Sequence, residues 1–509
     1  MKRRFHHHKR LAAGLLILAI LVIGTGCSTS AAVEQASPYQ ISIMLPTYVS
    51  GPHPDDTSPV VQELERYTNT DIELQWVPFS VYQDKTKITL SSLKLPSIML
   101  VLGKSPEFIS AVRKDVFWEL GLYLDDYPNL SQANKTVLDY TSVDGKIYAV
   151  YRARDLGRYG VTIRKDWLDN LGLSLPRTID EFFEVLRAFT YDDPDQDGRQ
   201  DTYGLVVTTY PSTFEIIQSW FGAPNGWGID EDGHLVPAHL TEEYREALRF
   251  LRKLYEEGLI NPDFAVRDPN FWRDALVHGE AGVIVDVADQ AQRVAHSIEK
   301  TYNLTDVIDV FASVEGPAGV RLPSTSGYEG MLAISRSAVK TENELRRVLD
   351  FLDKVNDEEM QVLLYNGIKG RHYNKTPEFA NADLAYEKVS LNQLLMFIPE
   401  TRTLPPAETP IRKKVNEVIK ANEAILVDNP AESLISETYM KKGPALDTLV
   451  SDARTKYILG QIDEEGWEQE IERWLRSGGS DYIAEINKAY QETLISQKST
   501  ITDQSKQSH

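Results

Sequence analysis

The sharpest chemistry in the chain lies in nine consecutive residues, Asp193-Pro194-Asp195-Gln196-Asp197-Gly198-Arg199-Gln200-Asp201. Carboxylates occupy loop positions one, three, five and nine, with glycine at six. Ca2+ takes roughly six to eight oxygens at about 2.3–2.6 Å, and alternate residues of a tightly wound loop aim their side chains at one point. Arg199 offers its backbone carbonyl at position seven. Without a cation, carboxylates this close would repel one another. An EF-hand closes its shell with Glu at position twelve, but Gly204 stands there, so Thr202, water or another group must supply the last oxygen. The expected cofactor is a structural Ca2+, because the loop joins a helix to a strand expected over 203–208 and leaves no open position for chemistry. Catalytic patterns are absent: the chain has no Gly-x-Ser-x-Gly elbow, His-Glu-x-x-His helix or Gly-x-x-x-x-Gly-Lys-Ser/Thr phosphate loop. No enzyme is expected from these patterns, although a pair of carboxylates suited to glycoside hydrolysis could exist among the 75 acidic residues without showing in their spacing. Trp220, Phe221 and Trp227 fall in a segment rich in Gly, Pro and Asn, where an aromatic face could stack on a sugar ring; local packing is the competing explanation for Trp227, and Phe221 suits a core.

The N-terminus indicates where these residues work. Lys2, Arg3, Arg4, Lys9 and Arg10 precede an apolar run over 11–23, which ends in Gly24-Thr25-Gly26-Cys27. A basic start, a short apolar core and small residues at the end are the parts of an export signal. The run is too short to span a bilayer, which takes about 20 apolar residues. Cys27 is the single cysteine of 509 residues, so no internal disulfide is possible. Residues 28–37 are small and polar, as in a flexible tether. Removing the five N-terminal cations takes the formal charge from −21 to about −26. Such acidity argues against nucleic acid or anionic lipid as a partner, since both require basic patches.

The elements that must position the site follow an alternation of short β-rich runs and amphipathic helices, which points to α/β lobes. Strands are expected over 41–45, 72–78, 98–102, 148–151 and 160–163, and helices over 60–67 and 82–93. Thr178-x-x-Glu181 has capping-box spacing and precedes Phe182, Phe183, Leu186 and Phe189 on one helical face. Further helices are expected over 242–257, 340–355 and 483–494. Residues 496–509 are polar throughout and read as a disordered tail.

Several segments carry a family resemblance: IRKDWL (163–168), the helix start at 176–183, DTYG (201–204), LYEEGLINPDF (254–264), GYEGMLAI (327–334), GIKGRHY (367–373) and WLRSGGSDYIAEINKAY (474–490). In this order, over residues 39–494, the chain resembles the extracellular solute-binding lipoproteins of bacterial ABC importers, family 1. Within them it is most similar to a LipO-like group of large oligosaccharide-type lipoproteins and to the alginate-oligosaccharide-binding proteins. The resemblance also extends to the lipobox, in which Cys27 would be lipidated; Gly24 departs from its usual Leu.

The resemblance implies an α/β, periplasmic-binding-protein-like clamshell of two discontinuous lobes, with the ligand in the cleft between them. The lobe boundaries expected are 38–155 plus about 306–340, and 156–305 plus about 341–495. It also implies a lipid anchor on the extracytoplasmic face of the cell membrane, ABC permease subunits as partners, a monomeric state and an oligosaccharide as solute. On the alginate-type pattern the calcium ligands correspond to Asp193, Asp195, Asp197, Arg199, Asp201 and Thr202. Since ligands of open α/β sheets sit beyond the carboxyl ends of strands, the cleft candidates are Tyr48, Lys104, Arg152, Arg154, Trp227, Trp272, Tyr328 and Arg371. Lys369 and Arg371 replace residues that are commonly Glu and apolar in relatives, which would favour acidic ligands. A surface glycan hydrolase or lyase, and a clamshell sensor or adhesion protein, are the alternatives.

Overall fold

The computed structural model describes residues 37–47, 51–92, 94–373, 382–396 and 409–507. Cys27, Tyr48 and most of the 28–37 tether lie outside them. Among the described residues no helix is long and apolar enough to cross a membrane.

The strands in chain order are β1 (Tyr39–Thr47), β2 (Thr70–Pro78), β3 (Ile98–Val101), β4 (Ala149–Ala153), β5 (Tyr159–Arg164) and β6 (Tyr203–Leu205). They are followed by the hairpin β7 (Trp227–Ile229) and β8 (Leu235–Pro237), then β9 (Ala281–Val287), β10 (Ile308–Phe311), β11 (Glu315–Gly316), β12 (Gly319–Val320), β13 (Leu322–Pro323), β14 (Tyr328–Ile334) and β15 (Leu426–Val427). Two sheets organise the molecule. One has the order β2-β1-β3-β14-β4 and the other β10-β5-β9-β6. In the first, β1 runs parallel to β2 and β3, and β14 returns antiparallel to β3 and β4. In the second, β5 is antiparallel to β9 and β10, with β6 parallel to β9.

Each sheet has its own core. The strand run of Ile41, Ile43, Met44 and Leu45 packs with Ile98–Val101 and with Val60, Val61 and Leu64 of the helix Pro59–Thr68. On the second sheet, Val161, Ile163, Val283 and Val285 meet Phe182, Leu186 and Phe189 of the helix Ile179–Tyr191. Burial on both faces explains why these strands read as nearly continuous apolar runs. Gly316 marks one tight approach: a Cβ there would lie 1.7 Å from the Trp220 carbonyl oxygen, so only glycine fits.

The lobe boundaries differ from those expected. Residues 308–311 pair with β5 and so belong to the second sheet, not the first. Leu345, Val348, Leu349 and Leu352 of the helix Glu342–Lys354, together with Leu391, Leu394 and Met396, pack on the first core, although residues from 341 onward were assigned to the second lobe. An amphipathic stripe shows that a face is buried without showing which sheet buries it. The chain therefore passes between sheets at residues 154–158 and again at 324–327. At the C-terminus the helix Ser480–Gln507 carries helical backbone into the segment read as a disordered tail.

Candidate functional site

The helix Ile179–Tyr191 delivers the acidic loop. Thr178 caps it, its hydroxyl accepting from the Glu181 N–H at 3.2 Å, while Glu181 accepts from the Arg177 N–H one residue outside the capping-box position. The loop's two ends are clasped: Thr202 Oγ1 donates to the Phe189 carbonyl at 2.7 Å, and the Gly204 N–H donates to Thr190 Oγ1 at 2.9 Å. Between them, Asp193, Asp195 and Asp197 can bring one oxygen each within 4.8 Å of one another, and they form the one such group of metal-capable side chains found among the described residues. Gly198, at φ 81°, makes the turn, and its N–H donates to Asp193. Burial pushes the Asp195 carboxyl above its usual range, and the charges of Asp197 and Asp193 act in the same direction. Asp201 stands outside the triad, and the Thr202 hydroxyl is turned into the helix end, a poor position for a sixth ligand. Three carboxylates converging on one point are hard oxygen donors of the kind that holds Ca2+.

A second site lies where the lobes meet. A cavity of ≈ 200 Å³ is lined by Tyr140 from the first lobe, Tyr159 from β5, and Ser324, Thr325 and Ser326 from the crossing between β13 and β14. Asn225, Asn429 and Glu432 complete it from the second lobe. The crossing is fixed by Asn225, whose Nδ2 donates to the carbonyls of Ser324 and Val427 at 2.9 and 3.0 Å. The parallel pair β13 and β15 then brings residues 428–432 alongside.

Glu432 is the electrostatic centre. Asn429 Nδ2 donates to its Oε2 at 3.1 Å, and Lys104 Nζ, reaching from the end of β3, donates to its backbone carbonyl at 2.9 Å. Burial drives both groups toward their neutral forms: the Lys104 ammonium falls to about 8, and the Glu432 carboxyl rises despite the lysine. Burial also raises the Tyr140 hydroxyl to about 12, helped by Asp428 and Glu432, and raises Tyr328, again with Glu432 contributing. Tyr439 and Tyr482, which stack at 4.7 Å, feel the same carboxylate.

Several sequence candidates sit elsewhere or are engaged. Trp272 is a core residue, 3% exposed, with Nε1 donating to the Val206 carbonyl. Trp227 packs edge-on to Tyr482 at 5.1 Å and is buried with Leu235 and Ile486. Arg371 forms a two-pronged pair with Glu387, which also faces His372 at 3.2 Å, so its charge is matched within the protein. Arg152 donates to the Glu329 carbonyl, and Arg154 pairs with the Glu329 carboxylate. Lys104 and Tyr328 do stand beside the inter-lobe cavity's Glu432. Tyr140, Tyr159, Asn429 and Glu432 were missed; the one local signal was the turn-forming Asp428-Asn429-Pro430.

Residues 51–362 match the bacterial extracellular solute-binding protein family. The chain belongs to that family. It is 45% identical over 491 residues to the lipoprotein LipO of Bacillus subtilis (strain 168), a match covering 94% of this chain and 97% of LipO. To the polygalacturonan/rhamnogalacturonan-binding protein YtcQ of the same organism it is 35% identical over 497 residues, covering 94% and 98%. Solved structures of the S. pneumoniae ABC-transporter substrate-binding protein FusA share the fold. One is in complex with kestose and one is an EF-hand mutant in complex with fructo-nystose; TM-scores are 0.68 and 0.69, each at 19% identity, covering 90% of this chain and 100% of FusA.

Proposed function

We propose that the protein captures an oligosaccharide between its lobes and delivers it to the permease of an ABC importer, binding it without turnover. The observation that carries this reading is the inter-lobe cavity lined by hydroxyl, amide and carboxylate groups and flanked by tyrosines. Hydroxyls and amides can both donate and accept, as sugar hydroxyls require, and the names of YtcQ and FusA point to glycan ligands. Cys27, lipidated, would hold the protein at the extracytoplasmic face of the cell membrane, with the following polar residues as tether. Asp193, Asp195 and Asp197, with the Arg199 carbonyl and Asp201, would hold a structural Ca2+; the EF-hand named for FusA supports that assignment. Uptake tests the transport role: deleting the gene should abolish import of the tightest-binding oligosaccharide, and unchanged import would refute it. Cys27→Ser should release the protein into the medium and remove palmitate labelling. Retention at the membrane by the variant would refute the anchor.

A further inference from the structure

We infer that the second lobe holds a separate cavity for an apolar, uncharged substituent of the captured solute, an aromatic or branched acyl group in place of a further sugar ring. The inference rests on the proposed oligosaccharide capture. The cavity measures ≈ 310 Å³ and is built from second-lobe segments alone: residues 207–214 after β6, Leu251 of the helix Glu242–Glu256, residues 260–265, and the last turns of the helix Glu437–Ile458. Val207, Leu251, Ile260, Phe264, Ala265 and Ile458 supply its apolar wall. An apolar cavity of about 150 Å³ is enough to hold benzene, so this one has room for an aromatic acyl group. At its edge, Tyr210, which lines it, and Val266, next in the chain to the lining residue Ala265, stay 53% and 79% exposed. Exposed apolar surface beside an apolar cavity is what a ligand-binding groove presents.

The polar groups of this wall are largely committed to the protein. Thr209 and Thr213 donate to the carbonyls of Arg267 and Val285, Thr455 donates to that of Ser451, and Lys456 pairs with Glu470 at 2.9 Å. A sugar ring carries a hydroxyl on most of its carbons, and each one buried against the aliphatic wall without a partner weakens binding. A hydroxyl-free group loses nothing there and gains by leaving water. The Arg454 guanidinium lies over the Phe214 ring, 4.8 Å from its centroid, and is placed to donate to an ester carbonyl, while Asp452 in the same wall disfavours an acidic group. The two cavities are neighbours: Tyr159 lines the inter-lobe cavity and Tyr210 the second one. Both phenols feel the Glu215 carboxylate, Tyr159 also feels Tyr210, and Glu215 feels Arg454. A solute seated between the lobes therefore needs only a side branch to reach the apolar wall.

The test is calorimetric titration of the full chain, purified in detergent, against a panel of oligosaccharides, each in three forms: unsubstituted, as the phenyl glycoside at its reducing end, and with one benzoyl ester on its non-reducing unit. The expected result is that one of the two substituted forms binds at least about tenfold tighter than the unsubstituted glycan, as burial of one aromatic ring requires. Ala265→Phe, which fills the cavity, should remove that advantage and leave the affinity for the unsubstituted glycan unchanged. Equal or weaker binding of both substituted forms by the wild type overturns the inference while leaving oligosaccharide capture intact. Failure of every glycan in every form to bind refutes the capture reading and the inference with it. An advantage retained in a folded Ala265→Phe variant places the aromatic group elsewhere and overturns the assignment of the cavity. If that variant does not fold, the wild-type comparison still decides the preference, and Ser451→Leu, which narrows the cavity from the opposite wall, decides its seat: the advantage should shrink, and an unchanged one counts against the cavity.

Discussion

Lys104 carries an unusual burden for a lysine: it spans from the end of β3 to a carbonyl of the opposite lobe, and burial lowers its ammonium to about 8. Because the folded state holds this proton less tightly than the unfolded chain, charged Lys104 costs stability below pH ~8, and the cost is relieved as pH rises toward the ordinary lysine value. Lys104→Met should therefore gain melting temperature relative to the wild type near pH 7, and the gain should shrink between pH 8 and 10; a difference independent of pH would show that the proton plays no part. Trp272 behaves in the opposite sense to its sequence reading. Trp272→Ala should destabilise by about 3–5 kcal/mol in urea unfolding, with glycan affinity unchanged in whatever fraction stays folded. A specific loss of affinity at unaltered stability would return Trp272 to the cleft. Residue type alone could not separate these cases, because an indole that stacks on sugar and an indole that fills a core look the same in sequence. The pairing of Arg371 was hidden for a related reason: its partner Glu387 is sixteen residues away in the sequence.

At the scale of elements, what is local was legible in part. The helix start expected at Thr178 forms with its hydroxyl accepting from the Glu181 N–H, but Glu181 turns to the Arg177 N–H, whereas a full reciprocal box that the sequence analysis did not single out forms at 341–344, with Thr341 accepting from the Glu344 N–H and Glu344 accepting from the Thr341 N–H. Thr341→Ala should cost about 0.5–2 kcal/mol, measured by chemical denaturation. The acidic loop was equally visible, since its carboxylates and Gly198 are consecutive. If it holds Ca2+, chelation should lower the melting temperature, and saturation at 100 times the dissociation constant contributes about 2.7 kcal/mol. Asp195→Asn should abolish that sensitivity, and a variant melt that still responds to chelator would place the ion elsewhere. The Thr202 hydroxyl was beyond sequence reasoning because its partner is a helix-end carbonyl thirteen residues earlier. Strand β10 and the helix Glu342–Lys354 were placed on the wrong sheets for the same reason on a larger scale: patterning reports a buried face, while pairing is decided by distant chain.

Across the whole molecule, segment 425–440 ties the lobes together. Lys104 reaches Glu432, Arg113 reaches Glu437 at 2.6 Å, and Ile435 and Met440 pack on the first core, whereas Ala431 and Leu434 pack beside Trp227. The two-lobed fold was accessible from ordered family motifs, but the cavity was not, because its lining comes from five separate stretches of chain that only the fold assembles. A solute that contacts both lobes shifts the population toward the conformation in which both contacts are made, by no more than its differential affinity for the two arrangements. Titration of the full chain in detergent with a neutral oligosaccharide, followed by mass spectrometry of the recovered glycan, tests this account most directly. It predicts saturable binding of one oligosaccharide per chain and recovery of that oligosaccharide intact; cleavage of the glycan, or no saturable binding to any member of a glycan panel, would contradict it.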